Sequence, residues 1–229
     1  MSKFRAVVVL ATMRTGSNFL ESNLAQFAAL SCHGELFNPA FIGKKNASEL
    51  MGFDIDARDK DPMAFLEAVV AQDQGLPLFR LFFGHDPRVI DAVLKDPTIG
   101  KIILRRDLAE SFLSLTHARK TGQWWTGSYT KTRTATVNFD RAQFDIWRDE
   151  VVGYYDMLSH RLRASGQVPF TIKYSELHDI DLLNGIAKFL EISDEISKVS
   201  TETKKQIADA PQDVIENWSE VSDLFSDAD

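Results

Sequence analysis

The chain has 229 residues, 44% of them hydrophobic and 26% charged, with 12 Gly and 7 Pro, a balance that excludes a disordered, collagen-like or low-complexity polymer. Its one cysteine, Cys32, excludes an intramolecular disulfide framework and a multi-cysteine metal centre, and suits a reducing, cytoplasmic compartment. Seven of the 33 acidic residues lie beyond Lys205, where no Lys or Arg follows; the first 205 positions therefore carry 26 charges of each sign, which argues against a nucleic-acid binder working by broad phosphate neutralisation.

Arg5–Ala11 is a continuous, β-branched apolar run, as expected for a strand covered on both faces and far too short to span a bilayer. No later run is longer, so membrane insertion is not expected. A Gly-containing turn, Thr12-Met13-Arg14-Thr15-Gly16-Ser17-Asn18, leads into a helix expected to reach Leu30, with Ser17 or Asn18 as its cap. Residues 34–61 lack a period and read as substrate-facing loops or short helices. Pro62 opens a helix carrying Phe65, Leu66, Val69 and Val70 on its packed face. Leu76–Phe83 reads as a strand with Pro77 near its start, and Asp86-Pro87 opens a helix to about Lys95. Lys101–Arg105 is the second core strand, followed by a helix capped by Asp107.

Residues 119–139 include the polar, turn-rich stretch Gly122–Val137, expected to be an ordered loop or lid. Phe144, Trp147, Val151, Tyr155 and Leu158 recur at helical spacing within Arg141–Ala164. Gln167–Tyr174 reads as a shorter strand, Leu182–Leu190 as a helix, and 207–229 as an acidic helical segment in which Trp218 docks on the core. Repeated strand-to-helix connections predict one α/β domain over 1–229, with a mostly parallel central sheet flanked by helices.

The turn after the first strand is the sharpest local signal. Gly16 permits close backbone approach to a ligand, the helix start offers amide donors to an anion, and Arg14 adds a permanent charge with a directional donor fork. Thr15, Ser17 and Asn18 add polar groups. The turn lacks both Gly-x-x-x-x-Gly-Lys-Ser/Thr and Gly-x-Gly-x-x-Gly, which leaves the common triphosphatase and dinucleotide fingerprints unmatched.

The segment resembles instead the 5′-phosphosulfate loop, Pro-Lys/Arg-Ser-Gly-Ser/Thr-Ser/Thr, of sulfotransferases that use 3′-phosphoadenosine 5′-phosphosulfate. Arg14, Thr15, Gly16, Ser17 and Asn18 occupy the matching positions, with Met13 in place of the proline and Asn18 in place of the commoner hydroxyl. The flavour is that of bacterial carbohydrate sulfotransferases of the nodulation-factor and trehalose types. The resemblance implies a P-loop-like nucleotide-binding sulfotransferase fold, adenosine 3′,5′-bisphosphate as product, and a small hydroxyl acceptor containing a sugar. It further implies a 3′-phosphate motif of an arginine at a strand end and a serine eight residues later, here Arg106 and Ser114. It places Arg14 toward the reactive sulfate and Arg106 toward the remote phosphate. Thr201–Gln206 resembles the family's cofactor-covering strip, in which Lys204 or Lys205 supplies a cation. Trp124 and Trp125 are read as a sugar-facing wall or as cover for the lid's core.

Transfer to a hydroxyl needs a base. His33 and Glu35 both follow the first helix, and either can accept a proton; Gly34-Glu35-Leu36-Phe37 resembles the region where the bacterial enzymes place a catalytic glutamate, with Phe37 on the acceptor side. The five histidines are scattered and the acids lack coordination spacing, so no metal is expected. Another nucleotide-dependent kinase or hydrolase, or a nonenzymatic nucleotide-binding module, is the alternative; homo-oligomerisation is left open.

Overall fold

Strand β1 (Ala6–Ala11) consists of six buried residues, and alternate side chains feed opposite faces of the sheet. Helix α1 (Ser17–Leu24) follows, then β2 (Leu30–Cys32), a two-residue hairpin of β3 (Glu49–Leu50) and β4 (Phe53–Asp54), and helices α2 (Ile55–Lys60) and α3 (Pro62–Gln72). Next come β5 (Leu76–Phe82), α4 (Pro87–Lys95), β6 (Ile99–Arg105), α5 (Leu108–Thr121) and α6 (Arg141–Ala164). The chain closes with β7 (Phe170–Lys173), α7 (Ile180–Phe189), α8 (Pro211–Val214) and α9 (Trp218–Val221). The computed structural model describes residues 2–127 and 129–225.

Five strands form one parallel sheet in the order β2-β5-β1-β6-β7. On one face Ala6, Val8 and Leu10 pack with Phe65 and Val69 of α3, Val93 of α4 and Leu158 of α6. On the other, Val7, Val9 and Ala11 meet Leu20 and Leu24 of α1 and Leu183 and Ile186 of α7. Each fully buried valine here is worth about 1.5–3 kcal/mol relative to exposure, which is why the least polar segment of the chain occupies the centre of the sheet. The mostly parallel α/β architecture is as expected, and six aspartates, Asp54, Asp61, Asp86, Asp107, Asp140 and Asp179, accept backbone hydrogen bonds at helix starts.

Three of the differences from expectation have plain physical causes. Helix α1 stops at Leu24 instead of Leu30, because Phe27 and Leu30 turn into the core and the Leu76 amide donates to Ala29 O (2.9 Å), adding β2 at the sheet edge. Strand β7 starts three residues late: Pro169 has no amide to give, and Gln167 instead receives Lys101 Nζ (2.5 Å) and donates to Leu94 O (2.8 Å). The 207–225 part of the acidic segment is helical but broken into short pieces, tied back by Val137 N–H···O Val214 (2.8 Å) and Glu216 N–H···O Val137 (2.9 Å), with Val214, Ile215 and Val221 packed among Phe112, Phe139 and Phe144. Trp218 docks beside Phe225, ring centroids 5.4 Å apart. Residues 226–229 of that segment, and Ser128 of the 119–139 loop, lie outside the described residues. Among the described residues no helix is long and apolar enough to cross a membrane.

Candidate functional site

Strand β1 is followed in the chain by β2 and β5 on one side of it, whereas β6 and β7 lie on the other. The connections leaving the carboxyl ends of β1 and β6 therefore diverge, and a crevice opens between them, the usual ligand position in an open parallel sheet. The turn carrying Arg14 leaves β1, and Arg106 lies just past β6, so the topology alone sets the two arginines side by side.

The turn is built on two left-handed residues, Arg14 (φ 71°) and Gly16 (φ 86°). A non-glycine residue in that region is costly and marks a site where the surroundings over-determine the backbone. Here Arg106 Nη1 donates to Arg14 O (3.0 Å), and the buried Thr15 hydroxyl donates to Thr12 O (2.9 Å). Gly16, not Ser17 or Asn18, is the residue at the start of α1, and no side chain caps the helix. Ser17 cannot cap because it already lies in the first turn, with its hydroxyl accepting from Arg80 Nη1 (3.3 Å). The uncapped helix start faces the cleft through Gly16, Ser17 and Asn18. A Cβ on Gly16 would fall 2.5 Å from the Tyr174 ring. Gly16→Ala is expected to destabilise the fold by about 1–2 kcal/mol through left-handed strain and to push Tyr174 off its position; thermal melting and titration with adenosine 3′,5′-bisphosphate check both.

The Arg14 guanidinium crosses the cleft. Its Nε donates to Ser114 Oγ (3.0 Å), its Nη1 to Trp124 O (2.7 Å) and its Nη2 to Gln206 Oε1. These acceptors are neutral. Burial, reinforced by the charge of Arg106, draws its pKa down to about 10, so it stays cationic at neutral pH but is poorly compensated. Arg106 is bonded to Glu110 Oε2 through Nε (3.1 Å) and Nη2 (2.8 Å) and lies over the Tyr174 ring at 4.1 Å. Ser114, which the family resemblance pairs with Arg106, is here bonded to Arg14, whose side chain spans from the β1 turn to α5.

One cleft collects Arg14, Gly16, Ser17, Asn18, Arg106, Ser114, Trp124, Trp125, Lys204 and Lys205. Trp124 and Trp125 are about half exposed on its rim. Gln206, within the 201–206 strip, and Tyr174, at the end of the strand read over Gln167–Tyr174, also line it, together with Phe19 and His178, which were not anticipated as site residues. Arg105 is elsewhere, its guanidinium over the Tyr155 ring at 4.7 Å. The 122–137 loop and the 203–207 strip are joined by Lys204 N–H···O Thr126 (3.0 Å) and Gln206 Nε2–H···O Gln123 (2.9 Å).

Glu35 does not line the cleft but connects to it through Arg80. Its Oε1 lies 3.3 Å from Arg80 Nη1, the same nitrogen that reaches Ser17, while Glu21 Oε2 sits 2.5 Å from Arg80 Nε. Glu35 Oε2 accepts from Asn38 Nδ2 (2.7 Å) and lies 3.8 Å from His85 Nε2. The fully buried Arg58 donates through Nη1 to Leu36 O, Asn38 O and Phe41 O (3.0, 2.8 and 3.0 Å), which fixes the loop after Glu35. His33 turns away and bonds Asp73. Phe37 is a correction: it is a core residue, 3% exposed, edge-on to Phe65 and Phe79, because Glu35 and Phe37 flank the turn at which the chain dives under the sheet. Burial pushes the Cys32 thiol up to about 12, which makes it a poor nucleophile. Among the described residues no group of three His, Cys, Asp or Glu side chains is placed to hold a metal ion.

No family model and no curated protein matches the chain. Solved structures do. A sulfotransferase from Alicyclobacillus acidocaldarius superposes with TM-score 0.50 at 15% identity, over 96% of this chain and 90% of its own. The sulfotransferase domain from the curacin biosynthetic pathway gives 0.53 at 14% identity, over 90% and 80%. Mouse sulfotransferase SULT7A1 complexed with PAP gives 0.53 at 12% identity, over 100% and 84%. The chain has the fold of these sulfotransferase structures.

Proposed function

We propose that the chain transfers a sulfuryl group to a hydroxyl of a small, sugar-containing acceptor. The observation that carries this reading is the half-buried, poorly compensated Arg14 beside Arg106, at an uncapped helix start, in a cleft also lined by Lys204 and Lys205. Such a concentration of donors suits a ligand with anionic groups at two points. The set fits 3′-phosphoadenosine 5′-phosphosulfate: amides and Gly16 for the 5′ side, Arg106 and Ser114 for a 3′-phosphate, and the covering lysines beyond. When bound, this ligand supplies the sulfuryl group and leaves as adenosine 3′,5′-bisphosphate. PAP in the mouse SULT7A1 structure is consistent with that choice.

Glu35 is the proposed base that receives the acceptor's hydroxyl proton, the acceptor reaching past the cleft lining to the Arg80 side, where Arg80, Asn38 and the Arg58-braced loop hold the carboxylate. Arg14 stabilises negative charge on the transferring oxygens, and Trp124 and Trp125 offer flat apolar faces to a sugar ring. The pairing of His33 with Asp73 favours Glu35 between the two candidates.

The test is transfer of labelled sulfate from the phosphosulfate donor to a panel of carbohydrates, glycolipids and small alcohols. Label on a carbohydrate or glycolipid hydroxyl is expected. Binding of the bisphosphate with no transfer across the panel overturns the reading, and selective protection by a nucleoside triphosphate with magnesium favours a kinase or hydrolase instead.

A further inference from the structure

Beyond β5 the chain turns at Gly84 and returns the His85 side chain under the sheet edge, where it is buried against Phe82. His85 Nδ1 accepts the Phe82 N–H (3.2 Å), so a neutral ring carries its proton on Nε2, the nitrogen that faces Glu35 Oε2 at 3.8 Å. At 3.8 Å this is a contact short of a hydrogen bond, and such contacts commonly tighten when a substrate seats.

We infer that His85 is a positioning residue for the reaction: its Nε2–H orients the Glu35 carboxylate and leaves the remaining lone pair free to take the acceptor's proton. The inference rests on the sulfuryl-transfer reading above. A neutral imidazole suits this task better than a cation, because it directs the carboxylate without a second full charge beside Arg80. Burial first, then the charges of Arg80 and Arg58, holds the His85 pKa down at about 4, so the ring is neutral at physiological pH.

The two ring nitrogens allow the turn and the positioning role to be separated. In His85→Asn the amide oxygen stands where Nδ1 was and keeps the acceptor for Phe82 N–H, but nothing reaches Glu35. In His85→Gln the amide nitrogen stands where Nε2 was and keeps the donor. Expected results are a kcat lowered about tenfold or more in His85→Asn, with bisphosphate affinity, acceptor KM and melting temperature unchanged, and recovery to within about threefold in His85→Gln. Wild-type kcat in the folded Asn variant, or equal losses in both variants, overturns the positioning role. A second readout is independent of turnover. The His85 ring nitrogens, followed by NMR in the intact protein, should report the Nε2-protonated tautomer, and Glu35→Gln should move the Nε2 resonance. An unmoved resonance overturns the pairing. If the wild type binds bisphosphate and transfers to no acceptor while the resonance does move, the reading under Proposed function fails and the His85–Glu35 contact stands.

Discussion

Glu35→Gln lowers sulfuryl transfer by about a hundredfold to ten-thousandfold while leaving bisphosphate affinity within a few-fold of wild type. The magnitude is that of removing a positioned general base. The substitution is nearly isosteric, and Arg80 keeps Glu21 at 2.5 Å when the Glu35 charge is lost, so it is not left buried without a partner. Asn38 keeps an oxygen to which it can donate. Nucleotide binding should be little affected because Glu35 is one side chain removed from the cleft. The measurement is kcat under saturating donor and acceptor, paired with calorimetric titration of adenosine 3′,5′-bisphosphate. Wild-type turnover with chemistry rate-limiting would remove Glu35 as the base. A parallel loss of nucleotide affinity would instead mean that the Arg80–Ser17 link had moved.

Arg106→Met weakens binding of adenosine 3′,5′-bisphosphate by about 2–5 kcal/mol, a factor of roughly thirty to several thousand, the usual loss when one member of a desolvated charge pair is truncated. Adenosine 5′-monophosphate, which lacks the 3′-phosphate, should lose far less. The comparison matters because Arg106 also holds Arg14 O at 3.0 Å and covers Tyr174, so part of any loss comes from the turn relaxing. That part weakens both ligands alike, and the difference between them isolates the phosphate contact. Equal losses would leave Arg106 as a brace for the turn and no more.

How much of this was legible depends on what local chemistry can encode. Strand β1 and its turn stand out because a fully buried parallel strand needs an unbroken apolar run, and the chain has few others. The Asp107 cap follows from the same strand-to-helix grammar, whereas Arg106 stood out only through the resemblance to the sulfotransferase 3′-phosphate motif. Strand β2 was hidden: Leu30-Ser31-Cys32 is three residues long with no usable period, and its pairing partner lies 46 positions along, Leu30 opposite Leu76. Arg80 and His85 were hidden for another reason. Reading Leu76–Phe83 as a strand does not say that Arg80 meets Glu35, Glu21 and Ser17, since all three contacts join segments distant in sequence. Phe37, read on the acceptor side, lies in the core, because a nonperiodic loop gives no face on which to sort it. The Arg14–Ser114 bond likewise depends on side-chain reach across the crevice, which spacing along the chain does not express.

The bonds joining Thr126 to Lys204 and Gln123 to Gln206 couple two stretches that are about eighty residues apart. Arg14 ties the same two stretches together a second time, since it reaches Trp124 on one and Gln206 on the other. In the proposed reaction, admitting a large nucleotide would break contacts made by the same arginine that is assigned to the transferring oxygens. On that reading, release of the contacts and charge stabilisation depend on one side chain, and a change that improves one alters the other.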